Sequence, residues 1–168
     1  MVEPIVAVLP ILHKLSDLDA TRALAEKIAP WTRAGDVVAL RGALGAGKTA
    51  FARAFIQAFA RNAGAPAPEE IPSPTFTLVQ IYEFRESTIH HFDLFRVEAP
   101  SETYELGIEE AFIDSVSLIE WPDRLGPLLP SDRLEIEFRD GPNENARLAE
   151  INGLGAWSHR MKEIFGDE

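Results

Sequence analysis

The sequence predicts one α/β domain in which helices flank a mixed β-sheet, and three observations support this fold class. The chain has 168 residues, about the size of a single domain. Apolar residues make up 46% of it and charged residues 26%, which is typical of a folded globular protein. Short β-branched runs alternate with helical patterns, and no internal repeat or linker interrupts them. We therefore expect residues 1–168 to form one domain.

Two elements are predicted before residue 36. The apolar run at residues 5–9 predicts a buried or edge strand. Residues 17–29 predict a helix that begins with Asp17 as its N-cap and ends at Pro30. Four apolar side chains of this helix fall near one face: Leu18, Leu24, Ala25 and Ile28. This spacing is typical of an amphipathic helix.

A strand, a glycine-rich turn and a second helix follow. Residues 36–41 are mostly apolar and β-branched, which predicts a buried strand. The turn occupies residues 42–47. Residues 49–61 are rich in Ala and Phe and contain neither Gly nor Pro, so they predict a helix. Three aromatic side chains recur at i, i+4 and i+8 and predict a stripe that faces the core: Phe51, Phe55 and Phe59.

The second half of the chain predicts five strands and two helical segments. A loop at residues 63–74, with four of the twelve prolines, precedes them. The strands are expected at residues 76–84, 87–93, 115–120, 133–139 and 146–151. The first two should form a hairpin that turns near residues 85–86, and the last two a hairpin around residues 141–143. Helical character is expected at residues 101–113 and 156–165.

Composition excludes several classes of site and protein. The chain has no cysteine, which excludes disulfides, thiolate metal sites, iron–sulfur clusters and a cysteine nucleophile. Its 16 Lys and Arg against 27 Asp and Glu give a formal net charge of −11, which argues against a free-standing nucleic-acid binder.

No stretch approaches the roughly 20 apolar residues of a membrane span, and no basic segment precedes the apolar run at residues 5–12. We therefore expect a cytoplasmic protein without a membrane segment.

The strongest motif is the glycine-rich turn GALGAGKT, which matches G-x-x-x-x-G-K-[ST] at every fixed position. It lies between a predicted strand and a predicted helix, as a phosphate-binding loop must. Glycines let backbone N–H groups face phosphate oxygens, and the positive end of the helix favours negative charge. Lys48 supplies a cation to the β- and γ-phosphates, and the Thr49 hydroxyl suits Mg²⁺. This predicts a P-loop NTPase-like domain whose nucleotide contacts are Gly42, Leu44, Gly45, Ala46, Gly47, Lys48 and Thr49.

Two acids and one polar segment are candidate partners of this loop. Asp93 and Glu120 each end a predicted hydrophobic strand, where the metal-binding acid of a P-loop protein usually lies. The segment Ser73–Thr77 follows the P-loop helix, where switch-like loops bring a hydroxyl to the γ-phosphate or metal. The alternatives are strand-end acids that face solvent and a Ser/Thr turn that enters a strand.

Five segments, in this order, resemble the TsaE family, also called YjeE. They are LGAGKT at 44–49, SPTFTLV at 73–79, HFDLFR at 91–96, ELGI at 105–108 and LIEWP at 118–122. The resemblance covers about residues 36–125. Many families share the P-loop, whereas the combination S-P-T-[FY]-T-L, H-x-D-L-[FY]-R and I-E-W-P is far more specific. Family members are bacterial P-loop ATPases of tRNA threonylcarbamoyladenosine synthesis.

The resemblance implies a function and its partners. TsaE proteins bind ATP and ADP, hydrolyse ATP slowly with Mg²⁺, and associate with the TsaB–TsaD pair. That pair transfers the threonylcarbamoyl group to tRNA, so a TsaE protein meets tRNA only indirectly. The ATP cycle resets the complex between turnovers.

The resemblance also implies roles for individual residues. The catalytic set is Lys48, Asp93 and Glu120, and the magnesium-binding set is Thr49, Glu120 and Asp93, with Asp93 as the Walker B-like acid. The remaining positions are Ser73, Thr75 and Thr77 in the switch-like loop, Trp121 near the nucleotide, and Asp17 and Thr21 on the adenine side. Two positions depart from the family pattern, because Ala43 replaces a common acid and Phe95 replaces a usual Tyr.

Two interpretations from different classes remain. In the first, water attacks the γ-phosphate, Lys48 and Mg²⁺ stabilise its charge, and either Asp93 or Glu120 orients the water. In the second, the chain is a nucleotide-gated interaction module, in which ATP orders residues 73–79 and hydrolysis is incidental. A small-molecule kinase is disfavoured because no arginine-rich lid is found, and a GTPase because no N-K-x-D motif occurs.

Two further patterns receive structural interpretations. His91 and Asp93 share one strand face, which permits a metal site but favours a hydrogen-bonded structural histidine. The alternating charges of residues 133–139 predict a strand with one solvated face.

Overall fold

A seven-stranded mixed sheet forms the centre of the computed structural model, which describes residues 9–166. The strands are β1 (Ile11–Leu15), β2 (Val37–Arg41), β3 (Val79–Phe84), β4 (Ser87–Asp93), β5 (Val116–Glu120), β6 (Arg133–Asp140) and β7 (Arg147–Leu154). Their order across the sheet is β1-β7-β6-β2-β5-β4-β3. The central strands β6, β2, β5 and β4 are parallel, whereas β7, β1 and β3 each run antiparallel to a neighbour.

Helices cover both faces of the sheet. They are α1 (Leu18–Ile28), α2 (Lys48–Asn62), α3 (Ile108–Asp114) and α4 (Trp157–Phe165), with 3₁₀ segments at Ala29–Trp31, Pro100–Leu106 and Pro122–Leu128. One apolar cluster joins α1, α2 and α4 to the sheet, and a smaller cluster on the opposite face joins it to α3. The predicted α/β class with a mixed sheet and flanking helices is therefore confirmed.

The local sequence patterns explain the best-predicted elements. Asp17 caps α1, because its Oδ1 accepts the N–H of Ala20 at 2.9 Å. The aromatic stripe of α2 is buried, as its spacing predicts: Phe51, Phe55 and Phe59. The two predicted hairpins are present as β3–β4 and β6–β7. On β6, the apolar side chains are buried, while the charged ones lie on a solvated face.

Ion pairs connect the charged side chains of that solvated face. Glu135 accepts hydrogen bonds from Arg41 at 3.0 Å and from Arg133 at 2.7 Å. Arg139 contacts Glu137 at 3.2 Å and Glu150 at 2.9 Å. Among residues 9–166, no helix combines the length and the apolar character that crossing a membrane requires.

Three sequence predictions near chain turns need correction. The strand expected at 76–84 begins only at Val79, because the Leu78 N–H donates to Pro74 O at 2.7 Å and Leu78 has φ +68°. Leu18 is 70% exposed, because it starts α1 directly after the cap. The helical segment expected at 101–113 divides at Gly107, whose φ is +76°.

The strand predicted at residues 5–9 can be compared with the structure only at its last residue. Residues 5–8 of the predicted strand lie outside the described residues, and Leu9 belongs to no helix or strand. The strand that the structure contains here is β1, which pairs with β7 at the sheet edge. Exposure alternates along β1, because Leu12 and Lys14 are exposed while Leu15 is buried, but the residue types do not, since the exposed Leu12 is apolar.

One histidine on the α3 side of the sheet has a buried ring nitrogen without a hydrogen-bond partner. His90 lies on β4, and its ring centroid is 5.8 Å from that of Phe92. Its Nδ1 atom is buried and has no hydrogen-bond partner. Burial lowers the pKa of His90, while Asp114 and Glu110 oppose the shift.

We expect the free energy of unfolding of the His90→Gln variant to fall less on acidification than that of the parent protein. The pKa of His90 in the folded protein is below its ordinary value of about 6.5. As the pH falls, His90 therefore binds a proton in the unfolded chain at a higher pH than in the folded protein, which lowers the free energy of unfolding. Urea unfolding between about pH 7.5 and about pH 5.5 should therefore show a steeper loss for the parent than for the variant. His159→Gln, at an exposed site on α4, is the control. Parallel profiles of parent and His90→Gln would contradict this expectation.

Candidate phosphate-binding site

The turn between β2 and α2 has a backbone that glycine makes possible. Gly42, Gly45 and Gly47 have φ of +144°, +77° and +113°. A Cβ atom on Gly42 would lie 2.7 Å from the carbonyl oxygen of Phe138, so a side chain does not fit there. The first helical residue after the turn is Lys48, so the free N–H groups of α2 lie beside the loop. This is the strand–turn–helix unit that the motif predicts.

Lys48 lies across the loop. Its Nζ atom donates to the carbonyl oxygens of Gly42 at 2.6 Å and Ala43 at 2.8 Å. The same atom lies 4.2 Å from the ring centroid of Trp121, which is a cation–π distance. Burial lowers the pKa of Lys48, and the carboxylates of Glu120, Asp93 and Asp123 oppose this shift. The lysine is therefore a desolvated cation held among acids.

Glu120 is fixed from two sides. One of its oxygens, Oε1, accepts a hydrogen bond from the Thr49 hydroxyl at 2.6 Å. The other, Oε2, lies 2.8 Å from His91 Nε2, and both Glu120 and His91 are buried. His91 thus has the hydrogen-bonded structural role that its sequence position favours. Hydrogen bonds therefore connect Thr49 on α2, Glu120 on β5 and His91 on β4.

Asp93 lies beside Glu120, because the two residues are register partners on the adjacent parallel strands β4 and β5. Its Oδ2 accepts from the Thr75 hydroxyl at 3.1 Å, and its Oδ1 accepts the N–H of Phe95 at 3.1 Å. Ser73 Oγ is 2.8 Å from Thr75 Oγ1. Two hydroxyl groups of the switch-like loop therefore form a chain that ends at Asp93, with Thr75 in contact with the acid and Ser73 in contact with Thr75.

Thr77 does not join this group. Its hydroxyl accepts from Gln80 Nε2 at 3.0 Å, in an exposed position. The tight turn at Leu78 separates it from Asp93. Of the three hydroxyls predicted in the switch-like loop, that of Thr75 contacts Asp93, that of Ser73 contacts Thr75, and that of Thr77 lies outside the group.

The grouped side chains form an oxygen-rich cavity of about 260 Å³. Its lining includes Lys48, Thr49, Thr75, Asp93 and Glu120. Within the described residues, no group of three or more His, Asp or Glu forms a complete metal cage. Mg²⁺ typically takes one or two carboxylates and completes its shell with water and phosphate oxygens. The hydroxyl of Thr49 and the carboxylates of Asp93 and Glu120 fit that requirement.

Trp121 forms one wall of the cavity in a strained conformation. Its φ of +60° and ψ of +53° are left-handed, which costs a non-glycine residue about 1–3 kcal/mol. The Trp121 ring contacts Lys48, and its centroid is 5.0 Å from that of Phe95. The departure from Tyr at position 95 therefore keeps an aromatic surface against this wall.

A second cavity, of about 510 Å³, lies on the other side of the loop. Its lining includes Asp17, Thr21, Gly45, Gly47 and Arg147. The structure thus brings the two predicted adenine-side residues next to the glycine-rich turn. The Thr21 hydroxyl lies 3.5 Å from Asp17 O, at the start of α1.

Sequence reasoning missed Arg147. Its Nε donates to Ala46 O at 3.2 Å and its Nη2 to Gly45 O at 3.4 Å. About one hundred residues separate Arg147 from the loop, and no local pattern marks it. Only the position of β7 in the sheet brings it there.

Comparison with known proteins gives one consistent family. A family model described as threonylcarbamoyl adenosine biosynthesis protein TsaE matches residues 15–148. The tRNA threonylcarbamoyladenosine biosynthesis protein TsaE of Rickettsia conorii is 39% identical over 140 residues, which are 83% of this chain and 77% of that protein. The protein of the same name from Bacillus subtilis is 36% identical over 131 residues, 77% of this chain and 78% of its own.

A solved structure has the same overall arrangement. The crystal structure of Bacillus subtilis YdiB superposes with a TM-score of 0.72 at 26% sequence identity. The superposition covers 93% of this chain and 94% of YdiB. The similarity therefore extends over nearly the whole length of both chains.

We expect Thr49→Val to destabilise the ligand-free protein by about 2 kcal/mol, the contribution of a hydrogen bond to a charged group. The change removes the donor to Glu120 Oε1 at nearly constant volume. Thr49→Ser keeps the hydroxyl and is the matched control. Urea unfolding at neutral pH measures both variants, and equal free energies of unfolding for Val and Ser would contradict a structural role for this bond.

Proposed function

The chain belongs to the TsaE family and acts in tRNA threonylcarbamoyladenosine biosynthesis, and on this basis we propose that it is an ATPase that binds ATP with Mg²⁺ and hydrolyses it slowly. The observation that carries the proposal is the geometry around Lys48. A desolvated lysine, a glycine-rich backbone turn and a helix N-terminus converge on one cavity that two acids line. Such a combination suits a magnesium-bound polyphosphate.

The phosphates would be held by groups that are already in place. Phosphate oxygens are charged acceptors, so they form stronger hydrogen bonds with Lys48 than the carbonyls of Gly42 and Ala43 do. The N–H groups at the start of α2 supply further donors. The base would lie on the side of Asp17 and Thr21, in the larger cavity beyond Gly45.

The oxygen atoms of Thr49, Asp93 and Glu120 would hold Mg²⁺. When bound, the ion neutralises charge that develops on the phosphate oxygens. Thr49 and His91 hold both oxygens of Glu120, which favours Glu120 as a fixed ligand. Asp93 contacts the switch-like loop through Thr75, so this pair is better suited to orient the attacking water.

The position of Arg96 supports slow intrinsic hydrolysis. Arg96 is the arginine that follows Asp93 most closely, and its Cζ atom lies 4.4 Å from the ring centroid of Phe76. Both side chains are exposed. Arg96 does not line the cavity beside Lys48, and the arginine finger of a P-loop protein accelerates hydrolysis by about 10³ or more.

The proposed partner is a TsaB–TsaD-type complex that carries out the group transfer. The chain's net charge of −11 suits a protein that meets tRNA only through partners. We propose that the ATP cycle of this chain resets that complex between turnovers.

We expect Lys48→Ala to reduce ATP hydrolysis by about 100-fold or more, because the charge on the phosphate oxygens loses its compensating cation. Lys162→Ala, at an exposed site on α4, removes a lysine of equal charge and is the matched control. Release of inorganic phosphate measures the rate, and isothermal titration with ADP measures binding. Equal rates for parent and Lys48→Ala would refute the ATPase assignment.

One observation favours a second candidate, the nucleotide-gated interaction module. The switch-like loop is joined to Asp93 by Thr75 and presents Phe76, which is 78% exposed. A nucleotide that rearranges Asp93 would thereby move an exposed aromatic side chain. Hydrolysis would then be incidental to the binding of a partner.

Glu120→Gln separates the two candidates. For an ATPase whose cycle is essential, we expect the variant to lose hydrolysis and multiple-turnover tRNA modification together in a reaction with TsaB and TsaD. Affinity for the partners with ATP, with ADP and without nucleotide is measured in parallel. Full modification by a variant that no longer hydrolyses ATP would favour the interaction module.

A further inference from the structure

Arg147 connects the β6–β7 hairpin to the phosphate loop. It is the first residue of β7 and is partly buried. Its guanidinium donates to four backbone carbonyl oxygens. Two belong to its own hairpin, Glu144 O and Ala146 O, each at 2.8 Å from Nη1. The other two belong to the loop, Ala46 O at 3.2 Å from Nε and Gly45 O at 3.4 Å from Nη2.

Most of the arginines that pair across the described part of the chain have a carboxylate partner, although Arg53 also donates to a carbonyl, that of Ile71, at 2.8 Å. Arg41, Arg133, Arg139 and Arg160 each contact a carboxylate. Within residues 9–166, by contrast, the contacts of Arg147 are carbonyl oxygens and include no ion pair. Its guanidinium lies against the glycine-rich turn and also lines the larger cavity beside Asp17 and Thr21.

The direction of the peptide groups gives this contact a consequence. In a trans peptide, the C=O of one residue and the N–H of the next point in opposite directions. When Arg147 holds the carbonyls of Gly45 and Ala46, the N–H groups of Ala46 and Gly47 must point away from it. The Ala46 N–H does so, because it donates across the turn to Ala43 O at 3.1 Å.

We propose that Arg147 is a positioning residue of the phosphate loop, which holds the carbonyls of Gly45 and Ala46 so that the N–H groups of Ala46 and Gly47 point to the inside of the turn, where a phosphate oxygen would take the place of Ala43 O as acceptor of the Ala46 N–H. This inference rests on the proposed function, because it assumes that the loop binds a polyphosphate. The planar guanidinium reaches both loop carbonyls while it stays bonded to its own hairpin. A lysine presents a single ammonium group and does not bridge the two in the same way.

The test compares Arg147→Met and Arg147→Lys with the parent protein. Isothermal titration with Mg²⁺ and ADP should show affinity about tenfold weaker for the Met variant, which corresponds to about 1.4 kcal/mol. The Lys variant keeps the charge and should fall between Met and parent. Arg139→Met removes an arginine from the same hairpin, and because its partners are Glu137 and Glu150 it should bind ADP like the parent.

Amide hydrogen exchange of the ligand-free proteins provides a readout that does not depend on nucleotide binding. Arg147→Met should speed exchange in the peptide that contains residues 42–49 and leave β5 as protected as in the parent. A parent that does not bind ADP would refute the proposed function, whereas faster exchange at residues 42–49 would still support the positioning role.

Three results would overturn the inference. The first is ADP affinity for Arg147→Met within twofold of the parent. The second is an unchanged exchange rate at residues 42–49. The third is equal loss of affinity in the Met and Lys variants, accompanied by faster exchange throughout the chain, because that pattern indicates general destabilisation.

Discussion

The arrangement of the site depends on the parallel pairing of β2 with β5. That pairing places Leu40 opposite Glu120, so the loop that leaves β2 begins beside the acid that ends β5. The Thr49 hydroxyl then bonds to Glu120 at 2.6 Å, which joins the first turn of α2 to the sheet. Because β4 is also parallel to β5, Asp93 lies at the same sheet edge as Glu120. A shift of one residue in either register would turn an acid to the opposite face.

Buried packing holds this edge in position. The Phe51 ring on α2 lies 5.7 Å from Phe138 on β6, directly below the glycine-rich turn. The carbonyl oxygen of Phe138 occupies the space that a side chain on Gly42 would need. His91, fully buried, supports Glu120 from the neighbouring strand. The polar groups of the cavity are thus supported by aromatic packing underneath and by one histidine at the side.

Local patterns predicted the elements that hold the site, because hydrophobic periodicity, capping residues and glycine positions act over a few residues. The helix α2 and strand β5 belong to this class, whereas the grouping of Lys48 with Glu120 was expected from the position of the acid in P-loop proteins and from the family resemblance. Contacts between distant segments left no such pattern. Arg147 reaches the loop only through the sheet order, and the turn at Leu78 depends on a hydrogen bond to Pro74 that propensity does not reveal. The sequence did not predict β1, because the apolar Leu12 lies on its exposed face and no clear alternation of apolar and polar residues marks the strand.

The hydrogen bonds of Lys48 to Gly42 and Ala43 have a consequence for the entropy of binding. An ammonium group has three N–H donors, and the two carbonyl oxygens accept from two of them. Under the proposed function, the third donor would reach a phosphate oxygen while the two carbonyl contacts and the Trp121 ring keep the side chain in place. The loss of rotamer freedom of this lysine, about 2 kcal/mol, would then be incurred when the chain folds and not when the ligand binds.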